Sequence, residues 1–184
     1  MSAGLGVVAL VVVALIMLLA YAASRPDTFR VQRSIRVQAP PEKVYPLLVD
    51  FRRWREWSPW EGKDPALKRS MSGTPSGKGA IYEWCGNSKV GQGRMEIIEA
   101  APPSSVRVQL DFLKPFQAHN VAEFILAPTA GGTDVTWAMY GPSPFISKLM
   151  GVFVSMDRMV GRDFEAGLAN LKAASEKQES GNAL

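Results

Sequence analysis

The sequence predicts an α+β protein: a curved antiparallel sheet of about seven strands wrapped around a long C-terminal helix, preceded by one transmembrane helix. Three patterns indicate this architecture. The N-terminal run is apolar and free of charge, the middle of the chain alternates between strand-sized blocks and turn residues, and the C-terminal region carries an apolar stripe of helical period. A sheet with one dry face buries that face most simply against such a helix.

The apolar run extends over residues 4–23, and the first charged side chain is Arg25. A helix over this run is about 30 Å long, which is the thickness of the hydrocarbon core of a bilayer. A buried helix of a globular domain would show a polar stripe, whereas this run is apolar on all sides. We therefore predict a transmembrane helix over residues 1–24 and a short linker over residues 25–28.

A cleaved signal peptide is the alternative interpretation of this run, because residues 20–22 (AYA) have the small-x-small pattern of a cleavage site. The lack of positive charge before the run argues against it. Basic residues follow the run instead, at Arg25, Arg30, Arg33 and Arg36. Because basic flanks tend to stay in the cytoplasm, we expect an inner-membrane protein with its N-terminus outside and its domain inside. An exported, periplasmic-facing domain is the alternative.

Residues 29–177 are predicted to form a single domain, and the polar tail 178–184 is expected to be disordered. The net charge of +4 comes from basic residues that are scattered singly, so no nucleic-acid surface is predicted and anionic lipid is the easier partner. Cys85 is the only cysteine and His119 the only histidine, which argues against a disulfide and a metal site. The sequence carries no dinucleotide or phosphate-loop motif, and we expect no cofactor.

The domain begins with an alternating segment, 29–38, which predicts a strand. The prolines at 40 and 41 open a helix that ends near Asp50, and a short helical turn with three spaced aromatic residues follows. From Pro65 onward the pattern indicates an antiparallel meander. Its predicted strands are 67–70, 80–85, 91–100, 105–113, 118–127 and 133–140.

The last predicted element is one helix over residues 144–177, with a bend at Gly161. Its apolar stripe consists of Leu149, Phe153, Met156, Val160, Phe164, Leu168 and Leu171. Their spacing of three or four residues is typical of a helix with one buried face. The charged residues Asp157, Arg158, Arg162, Asp163 and Glu165 are expected on its solvent face.

Three segments of the sequence carry a family resemblance: RSIRVQAPPEKVYPLLVDFRRWREWSPW (33–60), VGQGRMEIIEA (90–100) and LMGVFVSMDRMVGRDFEAGLANLK (149–172). In this order they resemble bacterial proteins of the polyketide cyclase/dehydrase-like group of the START-related helix-grip superfamily, abbreviated SRPBCC. The resemblance implies a helix-grip fold with a deep pocket for an apolar molecule. It also implies that many relatives carry an N-terminal membrane helix of this kind. Because this superfamily hosts lipid transfer, cyclisation and hormone reception, the fold names no single activity.

Candidate ligand-binding residues follow from the alternation of the strands and the stripe of the last helix. The set is Trp84, Met95, Phe112, Phe124, Trp137, Met139, Phe153, Met156 and Val160. Together they predict an adaptable aromatic and methionine-rich lining between sheet and helix, although core packing alone would also explain each of them.

Trp54, Trp57 and Trp60 form a separate cluster after the short helical turn. They are candidates for a lid over the pocket mouth or for a contact with lipid. The alternative is that they fix their loop to the sheet.

The candidates for acid–base chemistry are His119, Glu83 and Glu96. Asp111 and Glu123 lie on strands next to His119, but strict alternation puts Asp111 on the wet face, opposite Phe112. Alternation likewise points Glu83 and Glu96 outward if Trp84 and Met95 point inward.

The sequence therefore favours membrane-anchored binding of an apolar small molecule or lipid. The first alternative is a cyclase or dehydratase, which needs one of the acid–base candidates inside the pocket. The second is a membrane-tethered interaction module, which needs an exposed apolar patch.

Overall fold

The computed structural model of this protein describes residues 2–177. The predicted tail, 178–184, lies outside the described residues. In chain order the elements are α1 (Ser2–Ser24), β1 (Thr28–Val37), α2 (Pro41–Val49), a 3₁₀ helix (Phe51–Glu56), β2 (Lys68–Gly73), β3 (Ala80–Cys85), β4 (Gln92–Ala101), β5 (Ser105–Lys114), β6 (Ala118–Thr129), β7 (Gly132–Pro142), α3 (Phe145–Phe153) and α4 (Met156–Lys177).

Within residues 2–177, seven strands form one antiparallel sheet in the order β1-β7-β6-β5-β4-β3-β2. Strands β2 to β7 are a meander, and β1 pairs with β7, so that Val31 lies opposite Met139. Register shifts in the pairing of β4 with β5, at Gln92/Gly93 and Ile97/Glu99, add local twist and curvature. The α+β helix-grip architecture expected from the sequence is confirmed, and the predicted strands differ from the observed ones mainly at their ends.

The concave face of this sheet and one side of α4 enclose the hydrophobic core. Val106 and Val108 of β5 are fully buried on the inner face, whereas Arg107 of the same strand pairs with Glu99 on the outer face. Phe164, Leu168 and Leu171 bring the predicted stripe of α4 against the sheet. The inward residues of the strands, which recur every second position, thus share one core with the apolar stripe of α4, which recurs every 3.6 positions.

The single helix predicted over residues 144–177 is wrong, because the chain breaks it into α3 and α4. Val154 is extended (φ −126°, ψ 118°), and the Ser155 hydroxyl accepts a hydrogen bond from the backbone N–H of Arg158 as α4 begins. Ser155 therefore caps a new helix. Gly161, where a bend is predicted, lies inside α4, and the bend itself stays a prediction.

Gly161 is needed for a close approach of β1 to α4. A Cβ at this position would lie 2.0 Å from Nη2 of Arg33. Arg33 points to the inner face and binds Asp157 (2.9 Å) and Glu165 (2.7 Å) of α4. Both carboxylates are exposed, as expected, but they pair with Arg33 of β1 and not with basic residues along α4.

Among the described residues, α1 is the one helix long and apolar enough to cross a membrane. Such a helix near an N-terminus is found in membrane anchors and in signal sequences. Nearly all of its side chains are exposed; Ala22, which is fully buried, lies at its C-terminal end, where α1 packs against α3. The remainder of α1 projects away from the domain.

Replacing Gly93 with alanine is expected to lower the free energy of unfolding by about 2 kcal/mol, because an overpacked core strains its neighbours. The added Cβ would lie 2.4 Å from the Trp84 ring and 2.5 Å from the carbonyl oxygen of Asp111. Unfolding of the full-length protein in detergent, followed by near-ultraviolet circular dichroism, measures the effect.

The matched control is Gly62→Ala, where an added Cβ meets nothing within 4 Å. This variant should unfold like the unmodified protein. Equal stability of the two variants would contradict the close contact at Gly93.

Candidate ligand-binding cavity

A cavity of about 380 Å³ lies between the concave face of the sheet and α4. Its volume falls in the range of roughly 300–1,000 Å³ that is usual for small-molecule sites. The strands supply an apolar wall, α4 closes one side, and the segment between the 3₁₀ helix and β2 closes another. Of the lining residues, Lys89 and Met159 are exposed, so the cavity opens between the β3–β4 turn and the start of α4.

Six of the predicted apolar residues lie on the wall of this cavity: Trp84, Met95, Phe112, Trp137, Met139 and Val160. Phe124 is fully buried behind the wall, where its ring contacts Trp54, Trp57 and Trp137. Aromatic rings and methionine side chains therefore provide much of the surface that a ligand would touch.

Phe153 and Met156 do not face the sheet, so their expected place in the lining is wrong. Phe153 is 73% exposed and Met156 is 41% exposed. Because the chain breaks at Val154, α3 and α4 are separate helices. The apolar stripe predicted for one helix is therefore split between two helices, and only its part from Val160 onward faces the sheet. Met159, which the sequence analysis did not select, takes a place at the cavity opening.

The three tryptophans before β2 fix their loop to the core. The indole N–H groups of Trp54 and Trp57 donate to the carbonyl oxygens of Leu48 and Leu47, and both rings are at least 95% buried. Neither ring is placed to contact lipid. Trp60 is half-buried, packs edge-on against Trp137 and lines the cavity beside Trp54.

One side of the cavity is polar. The Tyr82 hydroxyl donates to one carboxylate oxygen of Glu61 (2.7 Å), and the guanidinium of Arg69 binds the other (2.7 Å). Burial, followed by the hydrogen bond to Glu61, raises the pKa of the Tyr82 hydroxyl well above its usual value, so the phenol stays neutral. The cavity therefore holds a neutral hydroxyl next to a carboxylate that is already paired.

A second ion pair lies at the α4 side of the cavity. Nζ of Lys63 contacts both carboxylate oxygens of Asp163 at 2.7 Å, and the same ammonium lies 5.6 Å from the centre of the Trp60 ring. Asp163 was expected on the solvent face of its helix. Sequence reasoning missed Glu61, Tyr82 and Lys63 because their partners lie far along the chain, and no local motif signals such pairs.

The acid–base candidates of the sequence all lie on the outer face of the sheet. His119 Nδ1 is 2.8 Å from Asp111 Oδ1, but the histidine side chain is 70% exposed. Glu96 pairs with Arg94 (2.7 Å), and Glu83 is exposed on β3. None of these four side chains lines the cavity. Within residues 2–177, no three His, Cys, Asp or Glu side chains converge as metal ligands.

A shallower depression lies at the opposite end of the sheet, between the β1–α2 connection and the β4–β5 and β6–β7 turns. It is wide and open to solvent, and turn residues such as Pro40, Pro103 and Gly131 form its lining. The enclosed cavity under α4 is the better ligand site, because it surrounds a small molecule with side chains.

Solved structures with the same fold support this description of the domain. A Chromobacterium violaceum protein is 18% identical, with a TM-score of 0.57 over 83% of this chain and 99% of its own. The Aha1 protein from Colwellia psychrerythraea, solved as a dimer, is 19% identical, with a TM-score of 0.56 over 80% and 96%. The di-domain ARO/CYC StfQ of the steffimycin biosynthetic pathway is 11% identical, with a TM-score of 0.61 over 83% and 52%.

These identities show a shared helix-grip fold and no more. A search of curated proteins found no significant match. Residues 28–176, however, match the family described as "Polyketide cyclase / dehydrase and lipid transport". The chain belongs to this family, and its placement in the SRPBCC superfamily is confirmed.

Replacing Tyr82 with phenylalanine is expected to cost about 1 kcal/mol of unfolding free energy, because Glu61 loses a buried hydrogen-bond donor. Thermal unfolding in detergent measures the change. Tyr45→Phe is the matched control, since Tyr45 is also buried and its hydroxyl has no hydrogen-bond partner in the described part of the chain. An equal loss in both variants would show that the Tyr82–Glu61 bond contributes nothing specific.

Proposed function

We propose that this protein binds an apolar small molecule or lipid in the cavity between the sheet and α4, within a domain that α1 anchors to a membrane. The observation that carries the proposal is the cavity itself: a well-formed space lined by six predicted apolar residues and enclosed by α4. Burial of apolar ligand surface supplies roughly 25 cal/mol per Å². A largely apolar molecule that fills this space therefore gains most of its affinity from the wall.

The polar side of the cavity narrows the class of ligand. Because the Glu61 carboxylate is already paired with Arg69 and Tyr82, a ligand needs no charged group to balance it. The neutral Tyr82 hydroxyl can accept a hydrogen bond, and the carboxylate has further lone pairs. A ligand with an apolar body and one hydroxyl group matches this arrangement.

Binding is better supported than catalysis because the three acid–base candidates named from the sequence, and Asp111 beside His119, all lie outside the cavity. The second candidate is a cyclase or dehydratase, and the neutral Tyr82 beside Glu61 is the observation that favours it. The two functions differ in what Tyr82→Phe would do. An enzyme would lose turnover of an aromatic polyketide substrate, whereas a binding protein would show no turnover in either form.

Membrane anchorage is supported by the exposure of α1. Water-exposed surfaces do not tolerate a continuous apolar helix of this length, whereas the core of a bilayer requires one. The basic residues that follow α1, beginning with Arg25, favour a cytoplasmic domain at the inner membrane.

Filling the cavity tests the binding function. Ala122 lines the cavity from β6 and is 5% exposed, and Ala122→Phe would place a ring inside it. We expect extraction and mass spectrometry of the purified full-length protein to recover at least about tenfold less bound ligand, equivalent to a loss of ~1.4 kcal/mol.

Ala127→Phe is the matched control, because Ala127 is exposed on the same strand and does not line the cavity. It should retain the ligand. Recovery of no lipid or other apolar molecule from the unmodified protein would contradict the proposed function.

The orientation is testable with Cys85, the one cysteine of the chain, which is exposed at the end of β3. In spheroplasts of a bacterial host, a membrane-impermeant maleimide should label Cys85 only after lysis. Labelling of intact spheroplasts would place the domain outside. If the intact mass of the purified protein shows that residues 1–22 are missing, α1 is a cleaved signal peptide.

A further inference from the structure

The helix α3 has the reverse arrangement of an ordinary surface helix: its apolar side chains are exposed and its charged side chain is buried. Ile146, Met150 and Phe153 are 61%, 55% and 73% exposed. The only charged residue of α3, Lys148, is 9% exposed, and its Nζ contacts Asp27 Oδ1 at 2.6 Å. A helix that faces water turns its charges outward. The outer face of α3 is therefore suited to an apolar environment.

Apolar side chains on neighbouring segments point to the same requirement. Phe116, in the β5–β6 turn, is 74% exposed, and Met159, in the first turns of α4, is 56% exposed. The start of β1, the end of β7 and the β5–β6 turn all lie at one end of the sheet. We refer to Ile146, Met150, Phe153, Phe116 and Met159 as the docking face.

The connection to α1 fixes the position of the docking face. Asp27, between α1 and β1, binds Lys148 of α3 through its side chain and accepts a hydrogen bond from the backbone N–H of Ser143 (2.7 Å) through its carbonyl. Ala22 is fully buried where α1 meets α3. The helix α3 is thus held beside the C-terminal end of α1, at the level where the apolar run gives way to Arg25.

We propose that the docking face inserts into the leaflet at which α1 ends, so that the cavity opens onto the lipid head groups. The opening lies between Lys89 and Met159, and Met159 belongs to both the opening and the docking face. An in-plane helix with one apolar face is a common form of interfacial contact. This inference rests on the proposed membrane anchorage, and it adds a route by which an apolar ligand passes between bilayer and cavity without crossing water.

Charge at this end of the domain fits an anionic leaflet. Arg25, Lys89, Lys114 and Arg158 are exposed there, and none of them has an acidic partner within residues 2–177. Basic side chains close to an anionic lipid surface are attracted to it. Apolar insertion and electrostatic attraction would therefore act together.

The test measures the depth of the docking face in vesicles of phosphatidylcholine with about one quarter phosphatidylglycerol. The full-length chain carries Cys85→Ser and a single new cysteine, either Phe153→Cys or Phe116→Cys, labelled with a fluorophore sensitive to polarity. Ser76→Cys is the matched control, because Ser76 is exposed in the β2–β3 turn at the opposite end of the sheet. A lipid with a quencher near the head group reports insertion.

We expect blue-shifted, quenched emission from labels at positions 153 and 116, and unquenched emission from position 76. Flotation of the vesicles is measured in the same samples. Protein that floats with all three labels unquenched overturns the docking face and leaves the anchor standing. Protein that does not float overturns the anchor and the docking face together, while ligand retention in Ala122→Phe tests the cavity separately. A blue shift without quenching that grows with protein concentration would assign the face to a second protein copy and overturn the proposal.

Discussion

The stacking of Trp137 on Phe164 is the contact on which the arrangement of this domain depends. The two ring centroids lie 4.1 Å apart with an interplanar angle of 7°, and the contact joins β7 to α4. Trp57 and Trp60 pack edge-on against the same tryptophan, so the loop after the 3₁₀ helix is held at this point too. Gly167 permits the approach, because a Cβ there would lie 2.7 Å from the Trp137 ring. Such aromatic clusters combine large apolar burial with defined geometry.

The cavity follows from where this contact is made. Toward the C-terminal end of α4, Leu168 and Leu171 are fully buried in the core, whereas Met159, Val160 and Phe164 near its start line the cavity. Arg33 still ties β1 to α4 at that end through Asp157 and Glu165. The helix is therefore held at both ends of the gap, which keeps a space open that apolar side chains would otherwise close.

Polar chemistry divides between the two faces of the sheet. The outer face carries the Asp111–His119 pair, in which the histidine is exposed and the carboxylate is partly buried, and the partly exposed Glu96–Arg94 pair. Solvent weakens such pairs, so they contribute little to stability. The charged groups beside the cavity are paired, Glu61 with Arg69 and Tyr82, and Lys63 with Asp163. The indole N–H of Trp137 on the cavity wall, by contrast, is buried without a hydrogen-bond partner in the described part of the chain. Pairing of the charged groups suits an apolar cavity, because an unpaired charge would be costly there.

The local patterns of the chain determined the fold class, the strands and part of the apolar cavity wall. Alternation fixes which face each strand residue takes, and so it placed Trp84, Met95 and Met139 inward and Asp111 outward. Only the tertiary structure decided the break at Val154, because the apolar spacing of Phe153 and Met156 continues across it and a packing break leaves no mark on periodicity. It alone also decided the polar pairs Tyr82–Glu61 and Lys63–Asp163, since the partners are 21 and 100 residues apart in sequence and only the folded chain brings them together.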